Sequence, residues 1–160
     1  MSFDPTQHNM LPARDFSEFS IGEVFFAPSR TMTAATFAAF QAVSGDNHPI
    51  HYDRTHLERQ SRPGLMAHGF QTLAQAAIGA CPLAHQMGTS LIGFLDQSSR
   101  FLAPVYEGDT LFPEFEITAM EQRDTTGTMT LTIRIHNQNS VCVCDGHQTY
   151  LLRLRDPKIV

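Results

Sequence analysis

The chain has 160 residues and a formal net charge of −5, with 16 acidic and 11 basic side chains. We expect one domain over residues 1–160, because this length can bury one sizeable hydrophobic core but not two. Nucleic acids and anionic membranes attract clustered Lys and Arg, so the scattered basic residues argue against both kinds of partner. No apolar run in the sequence approaches the roughly 20 residues that a membrane-spanning helix needs.

The three cysteines, Cys81, Cys142 and Cys144, bear on the redox compartment. An odd number of cysteines, without the spacing of a disulfide framework or a zinc site, is typical of a reducing compartment. The N-terminal residues also lack the basic start and apolar run of a signal peptide. We therefore expect a cytoplasmic protein.

The first predicted elements along the chain are short. Residues 1–15 are mixed in character and predict an irregular lead-in, and residues 23–30 predict a first strand. Thr33 is a suitable N-cap for a helix over residues 34–43. Gly45 suits the left-handed conformation that commonly ends a helix.

The longest predicted helix covers residues 68–80, after a short helix over residues 54–60 for which Asp53 is the expected N-cap. The segment 68–80 contains no charged residue and many Gly and Ala residues. A surface helix normally carries a polar face, which this segment lacks. We therefore expect this helix to be buried nearly all round, packed closely against a sheet.

The C-terminal half of the chain has the alternation of β-strands. Residues 128–136 place Met129, Leu131, Ile133 and Ile135 on one face and polar side chains on the other. The other predicted strands in this half cover residues 111–119 and, with a bulge near Gly146, residues 141–144 joined to residues 148–155. The fold class is therefore α+β, with a long antiparallel sheet of about five strands wrapped around one buried helix.

Asp46 and His51 are the candidate catalytic pair, in the segment SGDNHPIHYD over residues 44–53. On a helix, residues five positions apart would lie about 140° apart and could not converge. Pro49 argues against a helix here and pushes His48 toward an extended conformation, so the segment predicts a fixed loop. In such a loop a carboxylate and an imidazole can point into the same space, where they could hold a water and accept its proton.

The predicted helix start at His68-Gly69 supplies the second feature of a hydratase site. Adding water across an enoyl thioester builds negative charge on the thioester oxygen, and backbone N–H groups at a helix N-terminus can stabilise that charge. Glycine at position 69 would let a ligand approach the backbone closely. The loop and the helix start together predict the hydration of an acyl thioester.

Three segments carry a resemblance to a known family: SGDNHPIHYD, AHGFQTL (residues 67–73) and RFLAPVYEGDTL (residues 100–111). Together they resemble the MaoC-like dehydratases, which include the (R)-specific enoyl-CoA hydratases, and the resemblance covers roughly residues 15–153. It implies a hot dog fold, in which a sheet wraps around one long helix. It also implies a homodimer or higher homo-oligomer, with the sites at or near the subunit interface.

The resemblance further implies an activity and residue roles. The activity is the reversible hydration of enoyl-CoA to 3-hydroxyacyl-CoA, on a coenzyme A or acyl-carrier-protein thioester, with no cofactor and no metal. Asp46 and His51 would activate the catalytic water. The Gly69 amide would lie in the oxyanion hole.

Five further residues are candidate substrate-binding residues. The family usually has Asn where this chain has His48, and Asn47 precedes it in the same loop. His68 lies at the predicted helix start, where it could instead only pack or bond locally. Arg62 and Arg100 could meet the phosphates of coenzyme A, although a solvated arginine is the ordinary interpretation.

Simpler interpretations of the same loop stay open. Asp46 could cap a turn, since Gly-Asp-Asn is common turn chemistry, and His51 could be a packed histidine at a strand end. The side chains of His48, His51, Asp53 and His56 are suitable zinc ligands. Their spacing, however, matches no standard structural zinc site.

Two other functions are also compatible with the sequence. Many thioesterases of the hot dog fold use an Asp or Glu on or near the buried helix, and residues 69–80 contain neither, which argues against that activity. A non-catalytic acyl-thioester-binding protein is the other alternative. Its only support is His48 in the position of the usual Asn.

Overall fold

Within residues 4–5 and 8–154, which the computed structural model describes, six strands form one antiparallel sheet. The strands are β1 (Val24–Phe26), β2 (Arg30–Thr31), β3 (Leu91–Phe101), β4 (Thr110–Gln122), β5 (Thr126–Asn137) and β6 (Cys142–Arg153). Their order is β1-β4-β5-β6-β3, and β2 also pairs with β4. Because β3 pairs only with β6, it forms one open edge of the sheet.

The helices share one hydrophobic core with this sheet. They are α1 (Ala34–Ser44), α2 (Arg54–Arg59), α3 (Gly69–Leu73) and α4 (Pro82–Met87). Single 3-10 turns lie at Phe16–Glu18, Pro49–His51, Ala74–Ala76, Ile78–Ala80 and Gly88–Ser90. The result is a helical layer on one face of a long antiparallel sheet, which is the predicted α+β class.

The alternation in β5 is confirmed, and this strand supplies four fully buried side chains to the core. Met129, Leu131, Ile133 and Ile135 are all 0% exposed, and the residues between them are half-buried. Full burial of such a side chain stabilises the fold by about 2 kcal/mol. The inward-facing residues of β5 are therefore those that the alternation of apolar and polar residues in the sequence predicts.

The two predicted N-caps are also confirmed. Thr33 accepts a hydrogen bond from the Thr36 N–H at 3.3 Å, and Asp53 accepts one from the His56 N–H at 2.9 Å. Each satisfies a backbone donor that the first helical turn leaves without a partner. Gly45 ends α1 with φ of 69°, the left-handed conformation that glycine adopts at least cost.

The prediction of one continuous helix over residues 68–80 is wrong. α3 ends at Leu73, a 3-10 turn follows, and Ala77 is extended with ψ of 122°. The Gln148 side-chain amide donates to the Ala76 carbonyl at 3.0 Å. A buried carbonyl must find a donor, and a side chain of β6 replaces the helical N–H here.

The expectation that this segment is buried nearly all round is also wrong. Ala76 and Ile78 lie in the core, but Phe70 is 76% exposed and both Ala74 and Ala77 are exposed. The absence of charge therefore does not reflect burial within one chain. It leaves an apolar surface on the segment that follows Gly69.

The bulge expected near Gly146 is wrong, because β6 runs through this residue without interruption. The register shift between β5 and β6 lies between Cys142 and Cys144. Gly146 has another role: a Cβ atom there would lie 2.0 Å from the carbonyl oxygen of Ser98 on β3. Glycine at this position lets the two strands approach closely.

The strand predicted over residues 23–30 is divided into β1 and β2, with Pro28 in the gap, where it cannot donate to a strand ladder. Of the predicted lead-in, residues 1–3 and 6–7 lie outside the described residues, and residues 8–15 form neither helix nor strand. Residue 155, the predicted end of the last strand, is likewise outside them. No helix in the described part of the chain has the length and apolar character to cross a membrane.

Candidate active site

Asp46 and His51 are brought together by the loop that follows α1. The left-handed Gly45 ends the helix and redirects the chain. Pro49 then begins a single 3-10 turn that ends at His51. The His48 N–H donates to Oδ1 of Asp46 at 3.2 Å, an Asx-type contact that fixes the loop between them.

His51 is buried, and its hydrogen bond defines its tautomer. Its side chain is 8% exposed, and its Nδ1 lies 2.5 Å from the carbonyl oxygen of Met66. Because a carbonyl can only accept, Nδ1 carries the hydrogen and Nε2 keeps its lone pair in the neutral ring. Burial lowers the pKa of His51 from its ordinary 6.5. The hydrogen bond to Met66 raises this pKa in part, and the nearby His68 lowers it further.

His68 lies against both members of the pair. It is 3% exposed, and its ring stacks on that of His51 with 3.7 Å between centroids and 25° between planes. Its Nε2 lies 3.1 Å from the Asp46 carbonyl oxygen, 3.9 Å from Asp46 Oδ2 and 3.0 Å from the Tyr52 hydroxyl. One polar atom from each of Asp46, His51 and His68 lies within 4.8 Å of the others, so the three form one cluster.

An open pocket of about 420 Å³ lies over this cluster. Its apolar walls are Phe40, Phe70 and Phe101, and Ser44, the cluster and Gly69 complete its lining. Gly69 is the first residue of α3, so its N–H has no acceptor within the helix. A Cβ atom on Gly69 would lie 3.0 Å from the Phe101 ring, so glycine makes room for this wall.

Comparison with known protein families agrees with this geometry. The model of the family described as "MaoC like domain" matches residues 17–139, which is more than half of the chain. The chain belongs to the MaoC-like family. The resemblance carried by the three sequence segments is thereby confirmed.

Hydratases are among the relatives of this MaoC-like chain. It is 31% identical to the (R)-specific enoyl-CoA hydratase of Aeromonas caviae over 118 residues, which are 74% of this chain and 84% of that protein. The solved A. caviae (R)-hydratase superposes with a TM-score of 0.69 at 28% identity, covering 83% of this chain and 96% of that one. An R-hydratase from Pseudomonas aeruginosa gives 0.72 at 26% identity, covering 89% and 86%. Hydro-lyase chemistry is therefore supported for the family in general.

More distant solved structures agree on the fold of the MaoC-like chain. An Archaeoglobus protein described as a monoamine oxidase regulatory protein gives a TM-score of 0.79 at 23% identity, covering 92% of this chain and 99% of that one. A Mycobacterium tuberculosis protein with a double hotdog fold gives 0.75 at 23% identity, covering 92% of this chain and 46% of that one. The predicted hot dog fold is confirmed.

Asn47 and His48 lie in the loop of this MaoC-like site but outside the pocket lining. The Asn47 side-chain oxygen accepts from the Gln41 amide on α1. Nδ1 of His48 accepts from the Ile50 N–H at 3.3 Å and so caps the 3-10 turn. Both side chains therefore fix the shape of the loop.

Arg62 and Arg100 are not among the residues that line the pocket over the cluster. Arg62 donates from Nε to the Gln60 side chain at 3.1 Å. Arg100 forms a two-pronged ion pair with Asp145, at 2.7 and 3.1 Å. Since side chains alternate along a strand, Arg100 faces the side of β3 opposite to Phe101, and the structure does not bring it to the pocket.

A metal ion does not fit the stacked histidines well, although Asp46, His51 and His68 all carry suitable ligand atoms. A metal bound by two imidazoles lies close to the plane of each ring. The nearly parallel planes of His51 and His68, whose centroids are 3.7 Å apart, share no such point at bonding distance. Nε2 of His68 also already faces the Tyr52 hydroxyl. Asp53, another suggested ligand, caps α2 instead.

Sequence reasoning missed Tyr52, Gln71 and Phe101. Tyr52 contacts His68, and burial raises the pKa of its hydroxyl. Gln71 lies three positions after His68 on α3, a spacing that puts both side chains on one helical face. That spacing could have identified Gln71, but nothing local connects Phe101 with Gly69.

Proposed function

We propose that this protein catalyses the reversible hydration of enoyl thioesters to 3-hydroxyacyl thioesters. The observation that carries the proposal is the hydrogen bond from His51 Nδ1 to Met66 O. It leaves Nε2 as the basic nitrogen of a ring that lines the open pocket together with Asp46. Burial keeps the ring neutral by lowering its pKa, which suits a general base near neutral pH.

The proposed reaction needs one water and two proton transfers. A water held by Asp46 gives a proton to Nε2 of His51, and its oxygen forms a bond to C3 of the enoyl group. The C2–C3 π electrons move toward the thioester and form an enolate. C2 then takes up the proton that the water gave to Nε2 of His51, which returns the groups to their starting state, and the reverse sequence eliminates water.

The Gly69 amide is the proposed donor to the enolate oxygen. Its N–H, the first of α3, has no acceptor within the helix and lies in the lining of the pocket that holds the pair. A fixed backbone donor at this position would stabilise the negative charge that develops in the transition state. Phe70 and Phe101 supply apolar surface for the acyl group.

The proposal includes a coenzyme A or acyl-carrier-protein thioester as substrate, with no separate cofactor. It also includes a homodimer formed through the open edge of β3. This strand exposes large apolar side chains along its length, at Leu91, Ile92, Phe94 and Leu95. A long apolar edge is a ready template for pairing with a second chain.

A cytoplasmic location is part of the same proposal. Cys81, Cys142 and Cys144 are all free thiols. Burial raises the pKa of Cys81 and raises that of Cys144 to about 11, so neither is an easily oxidised thiolate. Three unpaired cysteines suit a reducing compartment.

The test is the loss of enoyl-thioester absorbance when crotonyl-CoA is added to the wild type, Asp46→Asn or His51→Ala. We expect activity in the wild type and a loss of roughly 10²- to 10⁴-fold in each variant. His56→Ala is the matched control, because this histidine bonds Gln60 and lies outside the pocket lining. Thermal unfolding of each variant checks that the fold is kept.

Three outcomes would contradict the proposal. Full activity in both variants would remove the pair from the mechanism. Release of free thiol without hydration would indicate a thioesterase, although residues 69–90 contain no Asp or Glu. Binding without turnover, on short, branched and carrier-bound substrates, would indicate a binding protein.

A further inference from the structure

Gln71 is a buried side chain with one half of its amide unused. It is 3% exposed, and its Nε2 has no hydrogen-bond partner among the residues that the structure describes. Its Oε1 lies 3.3 Å from Nδ1 of His68, one helical turn earlier. Leaving a buried NH₂ group unpaired costs free energy. The contact of the amide oxygen with His68 is the interaction that can offset this cost and hold the Gln71 amide in its orientation.

That contact determines where His68 carries its hydrogen. Oε1 of Gln71 can only accept, so Nδ1 of His68 is the donor. Nε2 of the neutral ring is then the acceptor and can take the Tyr52 hydroxyl hydrogen at 3.0 Å. When Nε2 is protonated, the Asp46 carbonyl oxygen at 3.1 Å and the Asp46 carboxylate become its partners.

The His68 ring is fixed from several sides and contacts both members of the proposed catalytic pair. Phe40 packs against it with 4.8 Å between ring centroids, and His51 stacks on it at 3.7 Å. Asp46, His51 and Tyr52 are the titratable residues in contact with it within the described ranges. A change in the orientation or tautomer of the His68 ring would therefore alter its contacts with both Asp46 and His51.

We infer that Gln71 and His68 are positioning residues of this site. The Gln71 oxygen holds the Nδ1–H tautomer of His68, Nε2 then accepts from the Tyr52 hydroxyl, and the oriented ring supports His51 by stacking. The catalytic consequence rests on the proposed function, whereas the tautomer does not. This arrangement resembles the outer hydrogen bonds that orient a functional imidazole in other sites.

The direct test is the tautomer of His68, read from its ring ¹⁵N chemical shifts at alkaline pH. The wild type should carry the hydrogen on Nδ1, and Gln71→Met, which keeps the bulk but removes the acceptor, should give a mixture of tautomers. Gln71→Glu keeps an acceptor oxygen and should keep the Nδ1–H form. Gln75→Met is the control, because the Gln75 side chain bonds the Gln71 carbonyl and, within the described residues, forms no hydrogen bond with His68.

The kinetic test uses the same variants. Gln71→Met should lower kcat about tenfold with KM changed less than about twofold, and Gln71→Glu should recover most of kcat. Gln75→Met should match the wild type in both constants. Thermal unfolding of all three variants checks that any loss of kcat occurs in folded protein.

The inference and the proposed function fail in distinguishable ways. A wild-type His68 with its hydrogen on Nε2, or an unchanged tautomer and kcat in Gln71→Met, would overturn the inference while leaving hydration intact. An equal loss of kcat in Gln75→Met would also overturn it, since helix packing would then be the cause. An inactive wild type would contradict the proposed function, and the tautomer would still decide the positioning role of Gln71.

Discussion

At the scale of single residues, the burial of His51 predicts a pH dependence. Its pKa is lowered from 6.5, mainly by desolvation of the buried imidazolium. A lowered pKa keeps the ring neutral to a lower pH, so the acidic limb of kcat/KM should have its midpoint below pH 6.5. Measuring kcat/KM from about pH 5 to 9 tests this, and an acidic limb centred at or above 6.5 would contradict it.

The convergence of Asp46 and His51 could be predicted from the sequence because its causes are local. Gly45 ends a helix, Pro49 blocks its continuation, and the four residues between Asp46 and His51 form the loop that brings the two side chains together. Their catalytic roles stay a prediction. The stacking of His68 on His51 could not be predicted, because it depends on how α3 is placed against the loop.

At the scale of elements, the close approach of β3 and β6 at Gly146 predicts a large stability effect. A Cβ atom there would overlap the Ser98 backbone oxygen, and backbone cannot move aside as a side chain can. Gly146→Ala should lower the free energy of unfolding by about 2–3 kcal/mol. Chemical denaturation measures this difference.

Gly93→Ala is the matched control on the facing strand. A Cβ atom on Gly93 would meet no atom within 4 Å, so this variant should change the free energy of unfolding by less than about 1 kcal/mol. Equal effects of the two substitutions would mean that strand propensity, and not the contact with Ser98, sets the cost. A neutral Gly146→Ala would mean that the two strands can separate locally.

Among the elements, β5 and the segment 68–80 show what a sequence pattern can and cannot predict. β5 alternates strictly, and one side of a strand faces one environment, so its core residues were predictable. The segment 68–80 has helical composition throughout, yet Gln148 binds the carbonyl of Ala76 and the helix breaks at Ala77. No pattern within the segment indicates a partner 72 positions away along the chain.

At the scale of the whole molecule, the open edge of β3 predicts self-association. Leu95 is 55% exposed on this strand, and a charge there should disfavour pairing with a second chain. We expect a dimer for the wild type and a monomer for Leu95→Lys in analytical ultracentrifugation. Ile21→Lys is the control, because Ile21 is 63% exposed but lies far from β3 in sequence and outside every strand.

A monomeric wild type would contradict the dimer, and a dimeric Leu95→Lys would place the interface elsewhere.

In the single chain, both β3 and Phe70 expose large apolar side chains. The exposure of Phe70 shows that the absence of charge in residues 68–80 predicted a burial that is not found within one chain.

The central claim, that the Asp46–His51 pair adds water to an enoyl thioester, is tested most directly in water labelled with oxygen-18. After incubation with crotonyl-CoA, mass spectrometry locates the label. We predict one labelled oxygen in intact 3-hydroxybutyryl-CoA with the wild type, and formation of this product roughly 10²- to 10⁴-fold more slowly with His51→Ala. Label in the carboxylate of released crotonate, or labelled 3-hydroxybutyryl-CoA formed equally by His51→Ala, would contradict it.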